Sequence, residues 1–417
     1  MALRRADRAR RGLVVIAAAA AFVCACSGSD AVQPEDAVQA LRSHALAAGL
    51  APMPDAPPRP VDNPYNADRV ALGRLLFFDP ILSGPRNVAC STCHLPRFAF
   101  GDGRQFPVGA GATGLGPART LPSPPPLRPM PRNAPTVMNV GLFGHLGPDP
   151  SVNGTMFWGA DAFGLDDQVL GPISNDNEMR GLVYSKIDAR DSVLARLRAI
   201  PGYVTRFAAA YPDIAHRDGT SPDQLITSTT LRHALAAYLR ELVTPHAPLD
   251  DFLEGDDHAL TAAEQRGMAL FIGKANCVAC HRGPLLSDFT PHVLGVAQVG
   301  LGRDSTPGDD IGWGEHGGTP YAFRTPSLRQ VTLTAPYFHD GVATTLQDVL
   351  EFKNRGTSAY DRVPASALDP AMHPLGLATS EMTDLLAFFH ALTDSVSMQD
   401  SLFRAPAAVP SGLAVVQ

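Results

Sequence analysis

Two copies of one five-residue pattern constrain this chain more than anything else in it: Cys90-Ser-Thr-Cys93-His94 and Cys277-Val-Ala-Cys280-His281. C-x-x-C-H is the attachment motif for c-type haem. Two thiols at this spacing reach the two vinyl groups of one porphyrin, and the adjacent histidine turns beneath the iron as its proximal ligand. A disulfide pair would need no histidine. A zinc site would want four clustered ligands, and these motifs lie far apart in the sequence. The reading is two covalently bound haem c groups, one in each half. Cys90, Cys93, Cys277 and Cys280 hold them, and His94 and His281 ligate the irons.

The remaining cysteines, Cys24 and Cys26, fall in a leader. Arg4, Arg5, Arg8, Arg10 and Arg11 form a basic start, and residues 13–23 form an apolar run too short to span a bilayer comfortably. Residues 1–25 therefore read as a signal peptide. A small residue just before Cys26 matches a lipoprotein box, with Cys26 as the lipidated residue. Cys24 is unusual at its position, so ordinary signal-peptide cleavage is the alternative. Either route takes the mature chain to the periplasm, where the lipoprotein form would be anchored to a membrane. This agrees with haem attachment outside the cytoplasm. The net charge of −7 gives no basic face for nucleic acid.

The organisation that follows is mainly α: two cytochrome c-like haem domains in tandem, connected by long irregular loops. Residues 26–60 are rich in Pro, Ala and Asp and read as a linker. Residues 61–250 form the first haem domain, 251–400 the second, and 401–417 a tail. Helices are expected over 67–77, 188–200 and 224–243. Thr261 with Glu264 forms a capping box that opens a helix to Phe271 and delivers the second motif. A last helix, 380–392, carries Met382, Leu385, Leu386, Phe389 and Leu392 on one face. The Gly- and Pro-rich stretches 101–131 and 295–318 read as loops.

An ordered set of segments accompanies the motifs. Leu72-Gly-Arg-Leu-Leu-Phe-Phe-Asp-Pro-Ile-Leu-Ser83 precedes the first, and Arg132-Asn-Ala-Pro-Thr136 follows the Pro-rich loop. Phe157-Trp-Gly159, Gln168, Gly171-Pro-Ile173 and Glu178-Met179 come next. Phe323-Arg-Thr-Pro-Ser-Leu-Arg329 and Leu333-Thr-Ala-Pro-Tyr-Phe-His-Asp-Gly341 come late. From about Leu72 to Asp394 the chain resembles the bacterial di-haem cytochrome c peroxidases and their relatives of the MauG type. The resemblance implies that peroxide reacts at the N-terminal haem and that the C-terminal haem relays or stores electrons. It matches Gln168 and Glu178 to the polar pair over the reactive iron. A carboxylate there moves a proton between the two peroxide oxygens. It matches Trp158 to a tryptophan between the haems. It also implies a calcium ion between the domains, at Asn133, Thr334 and the Pro336 carbonyl, and a family that is often dimeric.

Two departures from the family matter. Reductively activated members carry a histidine in the loop before Arg132; here the loop reads Leu121-Pro-Ser-Pro-Pro-Pro-Leu-Arg-Pro-Met-Pro131. The expectation is an open reactive haem at rest. The far-side ligand of the second haem, methionine or tyrosine in relatives, aligns with Lys353. A neutral amine can ligate iron; Tyr360, Met372 or no ligand are the alternatives. The leading function is peroxide reduction to water with electrons from a small periplasmic carrier, a c-type cytochrome or a cupredoxin. The alternatives are a MauG-like enzyme that uses peroxide to oxidise side chains of a partner protein, and a non-catalytic electron-transfer cytochrome.

Overall fold

Residues 35–143, 155–303 and 306–417 are described by the structure, a computed structural model. The leader, Cys24 and Cys26 lie outside the described residues. Among those described, the chain is mainly helical, and strand is confined to three two-stranded ribbons. No helix there is long and apolar enough to cross a membrane.

Local chemistry accounts for where the helices begin. Asn66 Oδ1 accepts from Arg69 N at 2.8 Å and opens the Ala67–Phe78 helix. The expected box at Thr261 is present: Thr261 N donates to Glu264 Oε2 at 2.7 Å and Glu264 N donates to Thr261 Oγ1 at 3.3 Å. This opens Ala262–Ile272. The helix expected over 224–243 is instead two pieces, Pro222–Leu225 and Ser228–Arg240. Thr227 is extended (φ −121°, ψ 169°) and accepts from Thr230 N, so a new N-terminus forms there. The stretch 101–131 contains only the short turn Gly116–Ala118 as regular structure.

Two cores form, one around each motif. The first packs Leu72, Leu76 and Phe77 against Leu231, Leu235 and Tyr238, with Tyr203 and Phe207 behind them. The second packs Met268 and Phe271 against Leu385, Phe388 and Phe389. The same device sets both. The helix leading into each motif carries a glycine against a later helix's backbone. A Cβ at Gly73 would lie 1.9 Å from Ala234 O, and a Cβ at Gly267 would lie 2.0 Å from Asp384 O. Only glycine allows these crossings.

The chain ends depart from the sequence reading. Part of the expected 26–60 linker is the helix Glu35–Ala47, which buries Val38 and Ala45 in the second core rather than the first. Its amphipathic face needs a partner, and the Pro248–Glu254 and Ala262–Ile272 helices supply one. Met53 N donates to Asp250 Oδ1 at 2.8 Å, and Gly283 N, just past the second motif, donates to Gly49 O at 2.7 Å. The 401–417 tail crosses the other way. Phe403 is buried in the first core, Ser91 Oγ inside the first motif donates to Val416 O at 2.8 Å, and Val416 N donates to Phe78 O. Each half is thus closed by the terminus nearer in sequence to the other.

Overpacking a tight backbone crossing costs about 1–3 kcal/mol or more. Gly73→Ala and Gly267→Ala are each expected to lower the melting temperature measured by circular dichroism. An unchanged midpoint in either would mean the crossing is looser than described.

Candidate haem and peroxide site

The two motifs open onto one cavity of about 560 Å³, lined by Cys90, Cys93 and His94 from one side and Cys280 and His281 from the other. None of the four motif cysteines is in a disulfide. His94 Nδ1 lies 3.0 Å from Phe100 O and His281 Nδ1 lies 2.8 Å from Leu286 O. A carbonyl only accepts, so Nδ1 carries the proton in each ring and Nε2 is the nitrogen for iron. Burial lowers the pKa of both histidines, His281 to about 4. Both are therefore neutral, as iron ligation requires.

A native interior does not leave such a volume unfilled. Its wall is largely apolar, and the cations Arg132, Arg303 and Arg324 line it as well. Apolar walls suit a porphyrin face and guanidinium groups suit its carboxylates, so the residues present fit two covalent haems.

Glu178 and Gln168 both line this cavity with His94. Gln168 ends the short helix Leu165–Gln168. Glu178 sits on the single π-turn Asp176–Arg180, capped where Asn175 Oδ1 accepts from Asn177 N at 3.0 Å. Two glycines fix that turn. Ala110 N donates to Glu178 O at 2.8 Å and Gly84 N donates to Met179 O at 2.9 Å. A Cβ at Gly109 would stand 2.2 Å from Glu178 O, and one at Gly84 would stand 1.9 Å from Arg180 O. Asn177 Oδ1 accepts from Arg128 N, which ties the Pro-rich loop to the same turn. Burial alone pushes the Glu178 carboxyl up to about 7, where a carboxyl can both take and return a proton near neutrality.

Trp158 lines the cavity and connects its two sides. Its Nε1 donates to Asn133 O at 3.0 Å, and its carbonyl accepts from Arg324 N at 2.8 Å. Beside it Arg132 grips Asp310 through two bonds, Nε to Oδ2 at 2.7 Å and Nη2 to Oδ1 at 2.8 Å. Its Nη1 reaches Asp161 Oδ2 at 2.9 Å. Arg132 was visible in the sequence only as part of a segment; its partner Asp310 carries no local signal.

Asn133, Thr334 and Pro336 all line the cavity. Asn133 Nδ2 donates to Arg104 O at 2.7 Å, which leaves its Oδ1 as the acceptor end, and Thr334 Oγ1 donates to Val331 O. One cluster of the metal-ligating type stands out among the described residues: Cys280, Asp288 and His292. Cys280 belongs to the haem motif. His292 is already held on both nitrogens, Nδ1 by Asp369 Oδ2 at 2.6 Å and Nε2 by Asp288 Oδ2 at 3.0 Å. Asp288, then the Cys280 sulfur, then Asp369 raise the imidazole's pKa to about 11.

Lys353 lines the cavity from the Leu346–Arg355 helix, and burial lowers its amine pKa. Its Nζ lies 3.6 Å from Met372 Sδ. A thioether is a weak acceptor, so the amine has no strong partner there. Tyr360, one alternative ligand, gives its hydroxyl to Asp309 Oδ1 at 2.8 Å and does not line the cavity. No imidazole comes from the 121–131 loop. Besides the proximal pair, the histidines on the cavity wall are His292 and His339, and the His339 ring stacks on Phe323 at 3.7 Å.

The family model for di-haem cytochrome c peroxidases matches residues 67–258. The chain is 32% identical over 385 residues to the methylamine utilization protein MauG of Methylorubrum extorquens, covering 91% of this chain and 92% of that one. It is 31% identical to cytochrome-c peroxidase IdrP1 of Pseudomonas sp. strain SCT, covering 92% of each. Among solved structures it resembles a MauG-like protein associated with microbial copper homeostasis, at TM-score 0.68 and 29% identity over 84% of this chain and 96% of that one. With this identity spread over nine-tenths of both chains and both haem motifs on one cavity, the chain belongs to the di-haem cytochrome c peroxidase family, which takes in the MauG proteins.

Proposed function

We propose that this protein reduces hydrogen peroxide to water at a haem held by Cys90, Cys93 and His94. Electrons arrive through a second haem, held by Cys277, Cys280 and His281, from a small periplasmic carrier protein. The observation that carries this reading is Glu178, a desolvated carboxyl on a glycine-buttressed turn, sharing a cavity with Gln168 and His94. A haem held there would supply iron for peroxide and electrons for cleavage of the O–O bond. Gln168 orients the bound oxygen by hydrogen bonding. Glu178 takes a proton from one peroxide oxygen and returns it to the other, which leaves as water. An electron-transfer cytochrome has no use for such a shuttle.

The two cores, with their matching glycine crossings and histidine ties, are read as tandem cytochrome c-like domains. Trp158 is the coupling element between them, Lys353 the far-side ligand of the second iron, and Asn133, Thr334 and Pro336 the holders of a calcium ion. The leader points to the periplasm, with Cys26 as a lipid anchor, and a homodimer fits the family. A second reading has its own support. The missing loop histidine and the 32% identity to MauG favour oxidation of a partner protein's side chains by the same peroxide chemistry.

Glu178 must be ionised to take the first proton. Its carboxyl sits near 7, so the rate of peroxide consumption in stopped flow should rise as pH increases through about 7 and level off above it. Glu178→Gln should abolish that inflection and slow the reaction by about 10²–10⁴-fold at unchanged haem content. An unaltered rate removes Glu178 from the mechanism. Low-temperature EPR of the resting ferric protein should show a high-spin component from the open first haem; low-spin signals alone would contradict it. Methionine ligation raises a haem potential, so Lys353→Met should raise the midpoint of one haem in a redox titration and leave the other in place. Two unmoved midpoints would remove Lys353 from the iron.

A further inference from the structure

Asp309 is a carboxylate that no step above uses, and it is 1% exposed. Besides the backbone N–H of Asp310, which donates to Oδ1 at 3.1 Å, it collects three side-chain donors. Tyr321 Oη donates to Oδ2 at 2.9 Å, Tyr360 Oη donates to Oδ1 at 2.8 Å, and Arg362 Nη1 donates to Oδ2 at 2.8 Å. Tyr321 lines the cavity that holds both motifs. Tyr360 packs edge-on against it, with ring centroids 5.9 Å apart, and both rings are half-buried. Arg362 beside them is exposed. The cluster therefore runs from the cavity wall, through two phenols on one carboxylate, to the outer surface.

We propose that Tyr321 and Tyr360, sharing Asp309 as proton acceptor, form a redox relay that carries oxidising equivalents from the haem cavity to the protein surface. The relay rests on the peroxide reading above, because peroxide is its oxidant. A neutral phenol gives up an electron readily only if its proton leaves at the same time. Burial and the neighbouring Asp309 keep both hydroxyls protonated, Tyr360 up to about 12, so each needs an acceptor already in place.

The steps balance. One electron leaves Tyr321 for the oxidised centre in the cavity. Its O–H bond breaks, and the proton moves along the existing hydrogen bond to Asp309 Oδ2. This leaves a neutral tyrosyl radical and a carboxylic acid. Tyr360 then gives an electron to Tyr321 and its own proton to Oδ1 while Oδ2 returns its proton, so one hydrogen atom moves inward from Tyr360 to Tyr321 and the radical moves outward. A reductant at the surface gives one electron to Tyr360, which recovers its proton from Asp309. That reductant is the carrier protein in one reading of function and an oxidisable partner side chain in the other. Arg362 offers a positive contact to an acidic face on either.

Other tyrosines lack one part of this arrangement. Tyr337 also lines the cavity, but its hydroxyl donates to Val331 O, a backbone carbonyl that cannot keep a proton. Tyr203 has a carboxylate partner in Asp79 but is wholly buried in the first core and does not line the cavity.

The test is freeze-quench EPR of the haem-loaded protein mixed with one equivalent of peroxide and no reductant. A tyrosyl signal should form in the parent protein, be lost in Tyr321→Phe, and persist in Tyr337→Phe. Asp309→Asn, which keeps the shape but cannot take the proton, should reduce its yield. Should Asp309→Asn fail to load haem, Tyr321→Phe alone decides. Peroxide consumption with no tyrosyl signal, or a signal that survives Tyr321→Phe, overturns the relay. Failure of the parent protein to consume peroxide at all overturns the reading of function instead.

Discussion

Arg132 and Asp310 hold the molecule's two halves to a single cavity. Arg132 follows the Pro-rich loop of the first half, and Asp310 belongs to the Gly-rich loop of the second. Their side chains are 8% and 4% exposed and joined by two parallel hydrogen bonds. A pair so desolvated is strongly destabilising to break, since the surviving charge is left buried. Asp161 takes the third arm of the guanidinium, and Asp310 Oδ1 also accepts from Gly312 N. The segment Arg132-Asn133 is pinned in this way, and Asn133 in turn receives the Trp158 indole. The wall between the motifs, and the tryptophan in it, are therefore placed by electrostatics rather than by either core.

Within that frame the halves repeat one construction and differ in what faces the cavity. Each has a glycine crossing ahead of its motif and a proximal histidine tied through Nδ1 to a carbonyl. Over the first site stands a carboxyl raised by burial and an amide. Beside the second stands a lysine amine lowered by burial, 3.6 Å from a methionine sulfur. Desolvation acts on both and in opposite directions. It raises the carboxyl to about 7 and lowers the amine from its usual value. A similar scaffold thus carries two chemically different surroundings.

Much of the local structure was legible from residue chemistry. The Thr261–Glu264 box and the helix leading to the first motif lie where spacing puts them, because capping bonds and 3.6-residue periodicity act over a few residues. The break at Thr227 was missed because the apolar spacing runs on across it, although threonine favours an N-cap over a helix interior. Glu35–Ala47 was hidden by the prolines that follow it and by a polar composition that reads as linker. Asp309, Asp310 and His292 were invisible because carboxylates and histidines in loops are usually solvated, and nothing nearby in sequence names their partners.

The sequence by itself determined the candidate chemistry: two C-x-x-C-H motifs, each with its adjacent histidine, the absence of a histidine in the 121–131 loop, and a lysine at position 353. These depend on residue type and short spacing, which no fold alters. Only the tertiary structure decided that the two motifs share one cavity, that Glu178 is desolvated, that Tyr321 and Tyr360 meet on Asp309, and that each terminus closes the other half. Those are contacts between residues tens to hundreds of positions apart. Their energies come from burial and charge pairing in three dimensions, and no local pattern encodes them.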